Sequence, residues 1–107
     1  MPKLGRVLVI DDEVDMIENC VIPLTRLGYE VVTEVDGGKA ATLYERERPD
    51  LVLTDLRMPG LDGLGVLQAI QTIDAEATVI LITAFATIET AVEAIKEGAF
   101  DYLPKPF

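Results

Sequence analysis

RVLVIDDEVDMIENCVIPLTRLGYEVVTE, residues 6–34, sets the architecture of the whole chain. After Arg6 comes a short apolar run, Val7 to Ile10, that stops at two aspartates, and residues 6–10 read as a buried strand. Beyond them Ile17, Cys20, Val21, Leu24 and Leu27 recur at the three- and four-residue spacing of one helix face. Gly28 stands where a glycine is expected just past a helix end, and Pro23 is expected to kink that helix. Residues 30–34 are a second β-branched run, so the stretch reads as strand, helix, strand.

The same alternation continues outward. Residues 51–54, 78–82 and 101–103 read as further strands. A second helix is expected over 38–47 behind Asp36 as a cap, and a third after Asp62 with Leu64, Leu67, Ile70 and Ile73 turned inward. A fourth starts near Thr87, is expected to bury Ile88, Val92 and Ile95, and stops at Gly98, with Glu89, Glu93, Lys96 and Glu97 on its outer face. Strict β-α alternation with near-continuous apolar strands predicts an α/β fold: a doubly wound parallel sheet covered by helices on both faces. The last strand is followed only by Lys105, Pro106 and Phe107, so a fifth covering helix is missing and the chain, 1–107, reads as one C-terminally truncated domain.

Composition narrows the function. The 107 residues suit a single core, and no apolar run approaches the ~20 residues of a membrane span. The basic and apolar N-terminus leads straight into Asp11, Asp12 and Glu13 without a cleavage site. A lone cysteine, Cys20, makes no intrachain disulfide and fits a cytoplasmic location as buried filler. A net charge of −10 opposes nucleic-acid binding by this domain, and no membrane contact is expected.

In an open parallel sheet, ligands bind beyond the carboxyl ends of the strands. Strand one ends in Asp11 and Asp12, strand three in Asp55, strand four in Thr83, and strand five is followed by Lys105. An isolated acidic pair would merely cap the first helix; together with the other strand ends it makes a site. Carboxylates gathered this closely repel one another unless a cation intervenes. Mg²⁺, a hard ion that takes carboxylate and phosphate oxygens, is the expected occupant, with Mn²⁺ as a substitute. The chain has no histidine, which argues against zinc. Asp55, ending the central strand, is the best nucleophile, since a carboxylate can attack phosphorus to give an acyl phosphate. Mg²⁺, the Lys105 ammonium, the Thr83 hydroxyl and the backbone N–H of Ala84 would then offset the phosphoryl oxygens.

Four stretches, VLVIDDE (7–13), DLRMPGLDG (55–63), ITA (82–84) and GAFDYLPKPF (98–107), resemble the receiver domains of two-component response regulators, in the family's order and over nearly the whole chain. The resemblance implies a flavodoxin-like sheet of order 2-1-3-4-5 and makes Asp55 the phosphoacceptor. It implies that Asp11, Asp12, Asp55 and the backbone carbonyl of Arg57 hold Mg²⁺. Thr83 and Tyr102 match the family's switch pair, and the Lys105–Pro106 bond is expected to be cis. The implied donor is a phosphohistidine on a sensor histidine kinase, with small acyl phosphates as substitutes. The implied output is a changed surface on the fourth helix and fifth strand that regulates an output domain or partner, without turnover of a metabolite. ETAVEAIKEGAFDYLPKPF (89–107) is similar to receivers of nitrogen-regulator-type transcription activators, whose outputs are ATPase and DNA-binding domains. A missing fifth helix would leave apolar sheet and first-helix surface open, inviting instability or association, a homodimer among the outcomes. An apolar Phe85 predicts slow self-dephosphorylation.

Other classes fit less well. An aspartate-nucleophile phosphatase needs Asp-x-Asp-x-Thr after strand one, where this chain has Asp11-Asp12-Glu13-Val14-Asp15. A nucleotide or flavin module needs G-x-G-x-x-G or a P-loop, and Gly37-Gly38-Lys39-Ala40 lacks the spacing of either. A phosphorylation-independent interaction domain would have no need of Asp11, Asp12, Asp55, Thr83 and Lys105 together.

Overall fold

Each β-branched run forms a strand: β1 (Arg6–Ile10), β2 (Glu30–Glu34), β3 (Leu51–Asp55), β4 (Val79–Thr83) and β5 (Asp101–Pro104). They pair in parallel in the order β2-β1-β3-β4-β5, as the family resemblance implies. The connections carry α1 (Val14–Arg26), α2 (Ala40–Glu47), α3 (Gly63–Ile73) and α4 (Ile88–Lys96). The structure is a computed structural model, and it describes residues 5–84 and 86–105. The Lys105–Pro106 bond and Phe85 therefore lie outside the described residues. No helix among those residues is long and apolar enough to cross a membrane.

Successive residues of a strand face opposite sides of the sheet, and two cores follow from that alternation. Leu8, Ile10, Val52, Val79 and Leu81 pack on one side with Leu43, Val66, Leu67, Ile70 and Ala94 from α2, α3 and α4. Val7 and Val9 pack on the other with Ile17 and Cys20 of α1, joined by half-buried Leu51 and Leu53. Among the described residues α1 alone covers this second side, and Val14, Ile22 and Leu27 stay exposed upon it. No strand residue is among the exposed large apolar side chains of the described residues.

Local signals set the helix ends. The Asp36 carboxylate accepts from the Gly38 N–H and starts a 3₁₀ turn, Gly37–Lys39, ahead of α2. Asp62 caps α3 by accepting from the Gly65 N–H at 2.9 Å. Pro23 lies inside α1 without ending it.

One packing expectation is overturned. Ile88, Val92 and Ile95 are not buried: they are 81%, 48% and 51% exposed, and Ala94 is the buried residue of α4. Periodicity identifies an apolar stripe but not the neighbour that covers it. The small side chain of Ala94 lets α4 lie close against the sheet, which turns the larger stripe toward solvent.

Candidate functional site: a carboxylate pocket at the sheet edge

The site is built from chain segments that leave the sheet at one edge. Asp11 follows β1 and stays on the sheet, its N–H donating to the Glu34 carbonyl at 3.1 Å. Asp55 is the last residue of β3, and Leu56 after it donates to the Ile82 carbonyl of β4 at 3.0 Å. Lys105 leaves β5 with its N–H on the Thr83 carbonyl at 2.8 Å, which aims its side chain back over the pocket.

Gly63 lets α3 begin directly beneath Asp55. Its N–H donates to the Leu56 carbonyl at 2.8 Å, and a Cβ there would stand 2.4 Å from the Asp55 carbonyl oxygen and 2.8 Å from the Leu56 Cα. Only glycine fits this approach.

The predicted groups meet. Carboxylate oxygens of Asp11, Asp12, Glu13 and Asp55 lie within 4.8 Å of one another, Asp11 and Asp55 buried and Asp12 and Glu13 exposed at the rim. Lys105 Nζ stands 2.7 Å from Asp11 Oδ2 and 3.5 Å from Asp55 Oδ2, with all three side chains nearly buried. The other Asp11 oxygen, Oδ1, accepts the Glu13 N–H at 2.9 Å. Asp11 is thus held from two sides.

Burial raises the Asp55 carboxyl above its ordinary range, and the Asp11 charge adds to the rise; the Lys105 charge, a hydrogen bond from the Arg57 backbone N–H and one from Lys105 work against it. Burial by itself would lower Lys105, but its hydrogen bond to Asp11 and the charges of Asp11, Asp55 and Glu13 outweigh that and hold the ammonium raised. Among the described residues the pocket therefore gathers four carboxylates around the Lys105 ammonium. An oxygen-rich, nitrogen- and sulfur-poor donor set of this kind suits a hard divalent ion.

Thr83 is fully buried at the end of β4, one residue beyond Ile82, the residue registered against Asp55. Ala84 follows it at the exposed rim. Arg57 is exposed and lines a groove of about 490 Å³ with Leu56, Met58, Pro59, Asp62, Leu64 and Thr90. Tyr102, half-buried on β5 opposite Leu81, bonds through its hydroxyl to Thr90 Oγ1 of α4.

Three contributors escaped the sequence reading. Glu13 reads in the sequence only as the end of an acidic triplet, beyond the strand end itself. Gly63 sat within a turn motif, and its close approach depends on tertiary packing. Thr90 could have been found from Thr-x-x-Thr at 87–90, a variant of the N-terminal capping box.

The response regulator receiver domain model matches residues 7–107. The regulatory protein AtoC of Escherichia coli is 39% identical over the whole chain, which spans 23% of its length; the chain covers less than half of the curated relatives it matches. NtrX from Brucella abortus, solved with ADP, superposes with a TM-score of 0.89 at 38% identity, over 96% of this chain and 24% of that one. CheY in the CheX-CheY-BeF3-Mg complex of Borrelia burgdorferi superposes with a TM-score of 0.92 at 29% identity, over 100% of this chain and 81% of the matched one. The match runs through the same strand ends that carry the carboxylates and the lysine, and the chain belongs to the response regulator receiver domain family.

Proposed function

We propose that this domain is a phosphorylation switch in which Asp55 accepts a phosphoryl group from the phosphohistidine of a sensor histidine kinase. The observation that carries this reading is the convergence of Asp11, Asp12 and Asp55 with Lys105 at the carboxyl edge of the sheet. A carboxylate oxygen of Asp55 forms a bond to phosphorus as the P–N bond to the donor imidazole breaks, and an acyl phosphate results.

Asp11, Asp12, Asp55 and the backbone carbonyl of Arg57 would hold Mg²⁺, with Mn²⁺ as a substitute. When bound, the ion supplies positive charge that offsets both the carboxylates and the incoming phosphoryl oxygens. The magnesium and beryllofluoride of the related CheY complex support this assignment. Lys105 supplies a nearly buried ammonium that reaches Asp55 and is shared with Asp11. Phosphoryl oxygens on Asp55 would compete with Asp11 for it. Thr83 and the Ala84 N–H supply hydrogen bonds to the phosphoryl group, and Thr83 and Tyr102 convert its presence into a rearrangement.

The added charge of about −2 biases the α4 and β5 surface. Ile88, Val92, Ile95 and Phe100 are exposed apolar side chains on and just after α4, the composition of a surface that exchanges partners. The regulated partner is an output domain of a longer protein, and likeness to AtoC and NtrX favours a transcription regulator of the nitrogen-regulator type. A homodimer through exposed apolar surface is a further expectation. The role is regulatory, in the reducing cytoplasm that Cys20 suits.

Intact-mass measurement after incubation with Mg²⁺ and acetyl phosphate tests the reading. One added phosphoryl group is expected in the native chain, with none in Asp55→Asn and none after chelation. An increment that survives Asp55→Asn would refute it.

A further inference from the structure

Tyr102 reaches α4 through one hydroxyl. Its phenol lies 2.5 Å from Thr90 Oγ1, and that oxygen belongs to the cap of the helix. The Thr90 N–H donates to Thr87 Oγ1 at 3.1 Å, and the Thr87 N–H donates to Thr90 Oγ1 at 3.2 Å, a reciprocal capping box. The Thr90 hydroxyl can donate to the Thr87 carbonyl at 3.1 Å, and the Thr87 hydroxyl oxygen lies 2.9 Å from it.

A threonine hydroxyl offers one hydrogen and two lone pairs. Around this oxygen stand the Thr87 N–H, the Thr87 carbonyl, the Thr87 hydroxyl and the Tyr102 hydroxyl, more partners than one hydrogen and two lone pairs serve at once. The Thr90 hydroxyl has partners for its hydrogen and for both lone pairs, and either hydroxyl of the Tyr102–Thr90 pair can be the donor. A phenol that leaves this oxygen removes one of the bonds that orient the capping hydroxyl, and a cap that opens displaces the partner of the phenol. Thr90 also lines the groove beside Leu56 and Arg57, the residues that follow Asp55.

We propose that Thr90 is a positioning residue of the switch: its hydroxyl ties Tyr102 to the N-terminal cap of α4, so that the ring on β5 and the first turn of α4 change state as one unit. The coupling within the resting domain stands on the hydrogen bonds alone. Its use in signalling rests on the reading of Asp55 as phosphoacceptor.

Amide hydrogen exchange at Thr90 and Ala91, whose N–H groups both bond to Thr87, reads the cap directly. In the resting chain Tyr102→Phe should speed exchange at these two amides about two- to tenfold, the span expected for the loss of one hydrogen bond. Thr90→Val should speed it at least as much. The double variant should be no faster than Thr90→Val, because the phenol has nothing left to hold. Thr90→Ser, which keeps the oxygen, should restore the native rate in the Tyr102 background. Independent, multiplying effects of the two substitutions, or no effect of Tyr102→Phe, would overturn the tether.

A second arm repeats the exchange after acetyl phosphate and Mg²⁺, with the mass increment recorded on the same samples. Phosphorylated native chain should show altered exchange at Thr90 and Ala91, and phosphorylated Tyr102→Phe should show less than half of that change. If the increment forms in every variant and the α4 response is equal in all, the tether fails while the phosphoacceptor reading stands. If no increment forms, the phosphoacceptor reading and the signalling role of Thr90 fail together, and the resting-state rates still decide the tether.

Discussion

At Asp55, burial and charge act in opposition on one carboxyl group. Burial and the neighbouring Asp11 raise it, and Lys105 and the Arg57 N–H only partly compensate. A carboxyl raised on folding contributes stability that is present below its unfolded value, near 3.8, and is lost as pH rises through the folded value. At neutral pH the ionised Asp55 therefore costs the metal-free domain stability. Asp55→Asn removes that cost and keeps the shape, so it should melt higher than the native chain at pH 7 in the presence of a chelator, by on the order of a few degrees. The gap should close as pH falls below the unfolded value of 3.8, where Asp55 is protonated folded or unfolded. An asparagine variant that melts lower at pH 7 would show that the Lys105 contact outweighs burial.

Elements position the site by how closely they approach one another. α3 starts where only a hydrogen at Gly63 clears the Asp55 carbonyl. Gly63→Ala must push backbone against backbone, and it should cost about 1–3 kcal/mol in denaturant unfolding. It should also slow phosphorylation, since the shift is imposed on Asp55 itself; a neutral effect on both would mean that α3 can back away freely. The face of α4 is testable in the same way. Ala94 is fully buried, so Ala94→Leu should overpack and destabilise by about 1–3 kcal/mol. Ile88 is 81% exposed, so Ile88→Ser should stay within about 0.5 kcal/mol of the native chain. The reverse ranking would restore the orientation that periodicity suggests.

Across the whole molecule, what could be read from the sequence divides along physical lines. Strands announced themselves because β-branched runs ending in Asp11, Asp55 and Thr83 are local signals, and the observed strands begin or end within a residue of the expected limits. The meeting of Asp11, Asp12, Asp55 and Lys105 was legible because parallel topology sends every strand's carboxyl end to one edge. The outward face of α4, the close approach at Gly63 and the bond between Tyr102 and Thr90 were not legible, because each depends on how far one element stands from another. Position in sequence carries no record of that distance. The chemical groups are set by topology, whereas the contact of Tyr102 with α4 is set by packing. The central claim is that phosphorus is bonded to Asp55 and to no other carboxylate of the pocket. Borohydride reduction of the phosphorylated domain converts an aspartyl phosphate to homoserine, and peptide mass spectrometry then locates it in the chain. The account predicts homoserine at position 55 alone; homoserine at Asp11, Asp12 or Asp62 with Asp55 unchanged would contradict it.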